Sequence, residues 1–240
     1  MRASIVSREH YEIKYSFMRA NTMIDLHSHS FFSDGALVPS EHVRRVEHLG
    51  YQAIAITDHA DSSNIRLLIP NLIRVARDLN AVNATQLIVG VELTHVPPAL
   101  IGPLAAESRA LGAQLIVVHG ETPVEPVLPG TNRAALEADV DLLAHPGFIT
   151  EEEAALAARR GILLELSGRK GHSLTNGHVA RMAEKTGALL AINADGHAPG
   201  DFLTAEMAEK VGLGAGLNRE RYQQVRRDMA ALVDRLKPLD

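Results

Sequence analysis

The sequence contains no cysteine and no tryptophan, and aromatic residues make up only 4% of it. Without cysteine, disulfides and thiolate metal sites are excluded, so any metal must be held by nitrogen and oxygen. The shortage of aromatics leaves Leu, Ile, Val and Ala to fill a core, and 46% hydrophobic residues suffice for one. No apolar run approaches the roughly 18 residues a membrane-spanning helix needs. There is also no excess of positive charge. A formal net charge of −5 speaks against a protein that coats nucleic acid, which wants a basic face, while leaving room for a local cationic pocket. Residues 1–22 carry Arg2, Arg8, Lys14 and Arg19 but lack the apolar block of a signal peptide. They read as an N-terminal extension, with Met23 a possible alternative start, ahead of a single barrel domain at 23–240. A cytoplasmic protein is expected.

What the sequence does contain is a regular alternation. Seven short apolar runs, at 23–26, 53–57, 87–91, 115–118, 140–144, 162–166 and 188–193, are separated by helical patterns. Runs of this kind, apolar on both faces, are the signature of buried parallel strands. Strict β–α alternation predicts an α/β fold whose parallel strands form a closed or nearly closed barrel, with an open doubly wound sheet as the alternative. Thr150 and Glu153 form a capping box for a helix that stops at Gly161. Pro70 and Pro103 are expected to bend their helices or start new ones. The last two helices are expected to start near Thr204 and Asn218.

The polar residues that follow these runs are of one kind. His27 and His29, spaced so that extended backbone points both the same way, are followed by Asp34 in the next loop. His59, Glu92, His119, His145, Asp195 and His197 close other runs. In a barrel, residues just past the C-terminal ends of all strands converge on one mouth. An open sheet, which binds at one strand-order switch, has no need of ligands from six strands. Six of only twelve histidines fall at strand ends together with three carboxylates, a pattern that chance placement explains poorly. Nine such donors exceed the roughly four to six that one ion takes, so two or three divalent ions (Zn, Mn or Fe) bridged by a carboxylate are expected.

These stretches, HSHSFFSDG, TDH, VELTH, VVHGE, AHPG and ADGH in that order, resemble the motifs of the PHP (polymerase and histidinol phosphatase) superfamily of metal-dependent phosphoesterases. The resemblance covers about residues 23–217. It implies a distorted (β/α)7 barrel, TIM-barrel-like, with a trinuclear site. By motif, His27, His29, Glu92 and Asp195 would hold one ion, Glu92 would bridge to a second held with His119 and His145, and Asp34, His59 and His197 would hold the third. Gly196 departs from the Ala or Ser common between the last Asp and His, implying a looser loop. The amidohydrolase barrel also opens with HxH, but it places a bridging Lys after a middle strand, where this sequence has His119.

The implied activity is hydrolysis of a small phosphate monoester, histidinol-phosphate-like or nucleotide-like, through a metal-bridging hydroxide held by Glu92 and Asp195. A phosphodiesterase or exonuclease acting on short nucleic acid, and a non-catalytic metal-binding barrel, are the alternatives. Arg169, Lys170 and His172, just before a helix start with Ser173, Thr175 and Asn176, are the expected grip on the substrate phosphate. Glu165 lies within an apolar run and needs a buried partner, either Arg169, a ligand histidine or the polar mouth itself. Asp25 and Asp58 are candidates to support the ligands, and His95 and Arg133 to line the pocket. His10, His42, His48 and His178 read as helix-face residues.

Overall fold

The computed structural model describes residues 23–239, and the expected N-terminal extension lies outside them. The strands are β1 (Met23–Asp25), β2 (Tyr51–Ile56), β3 (His59–Ala60), β4 (Gln86–Leu93), β5 (Leu115–His119), β6 (Leu142–Ala144), β7 (Leu163–Ser167) and β8 (Leu190–Asn193). All pair in parallel, in the order β1-β2-β4-β5-β6-β7-β8. The two-residue β3 pairs with the upper half of β4, at His59 opposite Glu92, while β2 pairs with its lower half. β2 and β3 are therefore two parts of one stave, broken at Thr57 and Asp58. Seven staves result, as the seven apolar runs predict.

Helices α1 (Pro39–His48), α2 (Ile65–Asn80), α3 (Pro98–Ala110), α4 (Thr131–Glu137), α5 (Glu151–Arg160), α6 (Asn176–Thr186), α7 (Ala205–Gly214) and α8 (Arg219–Arg235) surround the staves. The capping box forms as read: Thr150 accepts from the Glu153 backbone and Glu153 reaches back, and Gly161 ends α5 at φ 68°. Thr204 and Asn218 cap α7 and α8 through their side-chain oxygens. Pro70 and Pro103 start no new elements. α2 and α3 each run through the proline, because burying Leu68, Ile69 and Leu72, or Leu104 and Ala105, outweighs one lost backbone hydrogen bond.

The ring closes differently at its last joint. No ladder links β1 to β8. Beyond the strands, Ser28 bridges Gly196, with His29 N–H donating to the Gly196 carbonyl at 2.8 Å. Lower down, side chains substitute for backbone: Asn193 Oδ1 accepts from Leu26 N (2.9 Å), and Asp25 Oδ2 accepts from Ala194 N (2.9 Å). The result is a nearly closed parallel barrel whose seam is stitched by two buried polar residues.

Candidate metal centre

Every one of the nine expected ligands stands at the C-terminal mouth, and they form overlapping groups. His27, His29 and Glu92 are one; His29, Asp34, His59 and His197 another; His119, His145 and His172 a third; in each, the donor atoms lie within 4.8 Å of one another. Asp195 joins the groups. Its Oδ1 lies 3.3 Å from His29 Nε2 and 3.8 Å from His27 Nε2, and its Oδ2 lies 3.7 Å from His145 Nε2. Glu92 is equally central, with Oε1 at 3.2 Å from His27 Nε2 and Oε2 at 2.8 Å from His59 Nδ1. Asp34 reaches in from the β1–α1 loop to His59 (3.4 Å) and His197 (3.2 Å). That loop is shaped by Asp58, which accepts from Ser30 N, Ser30 Oγ and Ser33 Oγ, each at 2.7 Å. Asp58 thus supports the loop that carries Asp34, and Asp25 holds the barrel seam.

The donor chemistry fits divalent cations. His27 Nδ1 lies 2.9 Å from Glu165 Oε1, so the ring donates there and directs Nε2 inward. That nitrogen faces Glu92 Oε1, and both atoms are buried without a well-formed hydrogen bond. An imidazole nitrogen and a carboxylate oxygen 3.2 Å apart need positive charge between them, a proton in the metal-free chain, whose place a metal ion can take. Both nitrogens of His29 and Nδ1 of His145 are likewise buried without a partner. Buried polar atoms left unsatisfied cost about 1–3 kcal/mol each, and a cluster of them at one mouth marks a site built for a ligand.

In the metal-free chain, charge is shared among the same groups. Burial opposes ionisation of Glu92, but His27, His59 and His119 hold it well below the usual carboxylate range. Burial, reinforced by Glu92 and Glu165 against the pull of His27, pushes Asp195 up to about 7. Burial also opposes a charge on His59, yet Asp34 and Glu92 outweigh it and raise its pKa to about 10. Burial keeps His29 and His145 well below the ordinary imidazole value.

Glu165 is the orienting partner that the sequence left undecided. Fully buried, it accepts from His27 Nδ1, from Asn193 Nδ2 (2.8 Å) and from His145 N (3.0 Å). It therefore fixes one candidate ligand, His27, by its ring and another, His145, by its backbone, at a residue held at the unusual φ of 26°. Arg169 lies on the rim with Nη1 2.7 Å from His197 Nδ1 and 3.2 Å from the Asp195 carbonyl. Lys170 is exposed, whereas His172 is 4% exposed and stacked on His145 at 4.1 Å. The expected three-residue grip is thus divided between rim and interior. Arg133 is exposed and pairs with Glu137 along α4.

Glu125 is the residue that the sequence reading missed. It sits in the proline-rich β5–α4 loop, with Oε2 3.1 Å from His119 Nε2 and 3.0 Å from His95 Nε2, and Oε1 3.3 Å from His172 Nε2. Thr94 was missed too; its hydroxyl lies 2.6 Å from His59 Nδ1 and 3.1 Å from Glu92 Oε2.

Residues 25–196 match the family model described as the PHP domain. The chain belongs to the PHP domain family. Gly196, the departure from the PHP motif, has no left-handed backbone, and an added Cβ would meet Phe202 at 3.4 Å, an ordinary contact. An uncharacterized protein of Methanocaldococcus jannaschii is 48% identical over 83% of this chain and 92% of its own length. The archaeal ribonuclease P structure with mature tRNA contains a chain that superposes with a TM-score of 0.67 at 15% identity, over 88% of this chain and 90% of that one. A histidinol phosphate phosphatase of Lactococcus lactis, complexed with zinc, L-histidinol and phosphate, matches at a TM-score of 0.55 and 16% identity over 81% and 94%. At such identities these two structures share the PHP fold alone. Among the described residues, no helix is long and apolar enough to cross a membrane.

Proposed function

We propose that this PHP-family chain is a metal-dependent phosphoesterase that hydrolyses a small phosphate monoester. The observation that carries the reading is the meeting of a buried imidazole nitrogen and a buried carboxylate oxygen at 3.2 Å, His27 Nε2 against Glu92 Oε1, in a mouth where the same residue types recur. Such a donor set suits Zn, Mn or Fe, two or three ions in all. When bound there, the ions would supply activated water and neutralise charge on the phosphoryl oxygens. The chain itself supplies the rest. Glu92 and Asp195 present anionic oxygens to imidazoles on both sides, and Glu165 holds His27 in the tautomer that offers Nε2 inward. Arg169, beside Asp195 and His197, is placed to grip a phosphate oxygen at the edge of the mouth, and the exposed Lys170 adds positive charge nearby. Phe31, Val124, Phe148 and Leu174, exposed on the loops around the mouth, offer apolar contact to the organic part of the ester.

A phosphodiesterase reading draws support from the ribonuclease P neighbour, but the net charge of −5 favours a small substrate. A non-catalytic barrel is disfavoured because all nine ligand positions are filled. Assay of mono- and diesters with added Mn or Zn separates the three: monoester turnover supports the proposal, diester turnover alone supports the second, and none supports the third. His119→Ala should abolish turnover. Arg169→Ala should raise KM or lower kcat/KM with bound metal unchanged, and loss of metal instead would refute its role as a phosphate grip.

A further inference from the structure

The β5–α4 loop brings a carboxylate into contact with three imidazoles, outside the nine ligands that the PHP motifs supply. His119 Nδ1 lies 3.1 Å from the Gly120 carbonyl, to which it donates, so Nε2 is the atom left to meet a cation. That nitrogen faces Glu125 Oε2 at 3.1 Å, a contact bridged by a proton in the metal-free chain and open to a metal ion in its place. His172 is held by Thr122, whose hydroxyl lies 2.8 Å from Nδ1, leaving Nε2 directed at Glu125 Oε1 (3.3 Å) and Asp195 Oδ2 (3.8 Å). The side-chain nitrogens of His119, His145 and His172 converge within 4.8 Å, as do the donors of His95, His119 and Glu125. His95 is itself held in a left-handed backbone at φ 52°, from which it contacts Glu125 on the solvent side.

We propose that Glu125 and His172 are ligands of the ion held by His119 and His145, adding a third imidazole and a second carboxylate to the set that Glu92 bridges. Five donors lie within the roughly four to six that such an ion takes, leaving room for water in a six-coordinate shell. It also makes the ion the fastener of the β5–α4 loop, whose other end is tied where Glu121 Oε1 accepts from Gly130 N and Asn132 N. His172 on this assignment serves metal rather than substrate. The inference rests on the metal-binding reading of the mouth and is independent of which ester is cleaved.

The test is titration of the metal-stripped full chain with Co2+, followed by visible absorption and by elemental analysis of bound metal. Glu125→Gln and His172→Gln should each weaken one Co2+ equivalent by at least about 10-fold and change its ligand-field bands, leaving the other equivalents as in the parent. Lys185→Ala, whose exposed side chain pairs with Glu151, should match the parent throughout. Equal stoichiometry, affinity and spectrum in Glu125→Gln would overturn the assignment of Glu125 while leaving the metal centre intact. The same result in His172→Gln would overturn that of His172. Should His172→Gln fail to fold, the partly exposed Glu125 carries the test alone. A parent chain that takes up no Co2+ would refute the metal-binding reading itself, and this assignment with it.

Discussion

Single residues at the mouth are arranged for a ligand, but His42 is buried for no such purpose. It lies on α1, fully buried against Phe202, with neither ring nitrogen hydrogen-bonded. Burial lowers its pKa from 6.5 to about 4. A base depressed in the fold is neutral there and charged in the unfolded chain, so stability is complete above pH 6.5 and falls as the pH drops toward 4. The full span is worth up to about 3 kcal/mol. His42→Leu should therefore raise the Tm relative to the parent more at pH 5 than at pH 8; an equal effect at both would exclude this origin. Glu165 makes the opposite case, a buried polar side chain with three hydrogen-bond partners. Glu165→Gln preserves shape but keeps one acceptor oxygen where the native side chain offers two, so either the His27 ring or the His145 amide loses its partner, and it should weaken metal binding about 10–100-fold in a chelator-competition titration. The placement of the nine candidate ligands is legible because strand ends are legible: an apolar run stops and a histidine or acid follows. Glu165 was legible only as a buried acid, since its choice among partners depends on strands β1 and β8 meeting across the ring.

At the scale of elements, strands and caps follow periodicity and turn chemistry, and the loops do not. The path of ETPVEPVLPGTN is set by tertiary ties from Glu121, Asn132 and Thr122, so nothing in its own pattern indicates that Glu125 turns inward. The break between β2 and β3 arises the same way: Asp58 leaves the ladder to bind the β1–α1 loop. Two glycines on this rim should respond differently to substitution. Gly147 has φ 62°, and an added Cβ would come within 1.9 Å of the Glu121 carbonyl oxygen. Gly147→Ala should lower the Tm, with about 1–3 kcal/mol lost to backbone strain alone, and displace the β5–α4 loop. Gly196→Ala has room and an ordinary backbone, and should melt within a degree or two of the parent.

For the whole molecule, folding and cation binding should be linked. Cations that bind only the folded chain stabilise it by about 4 kcal/mol at a thousandfold excess over Kd. Adding Zn or Mn should therefore raise the Tm and a chelator should lower it. Imidazole ligands must be unprotonated to bind, and the carboxylates raise the pKa of His27, His59 and His119. Protons therefore compete with the metal, and the Tm gain should shrink as the pH falls from 8 to 6. A gain that grew on acidification would contradict imidazole ligation.

The seam between β1 and β8 carries a last consequence. Asp25 and Asn193 replace a backbone ladder there, and each also touches the mouth, Asp25 through the His27 amide and Asn193 through Glu165. The joint with fewest main-chain bonds therefore shares its atoms with the cation-binding end. Deuterium should enter the Leu26 and Ala194 amides of the stripped chain well before those of β4 and β5, and loading the mouth should close that gap, so that the hoop breathes at its own clasp.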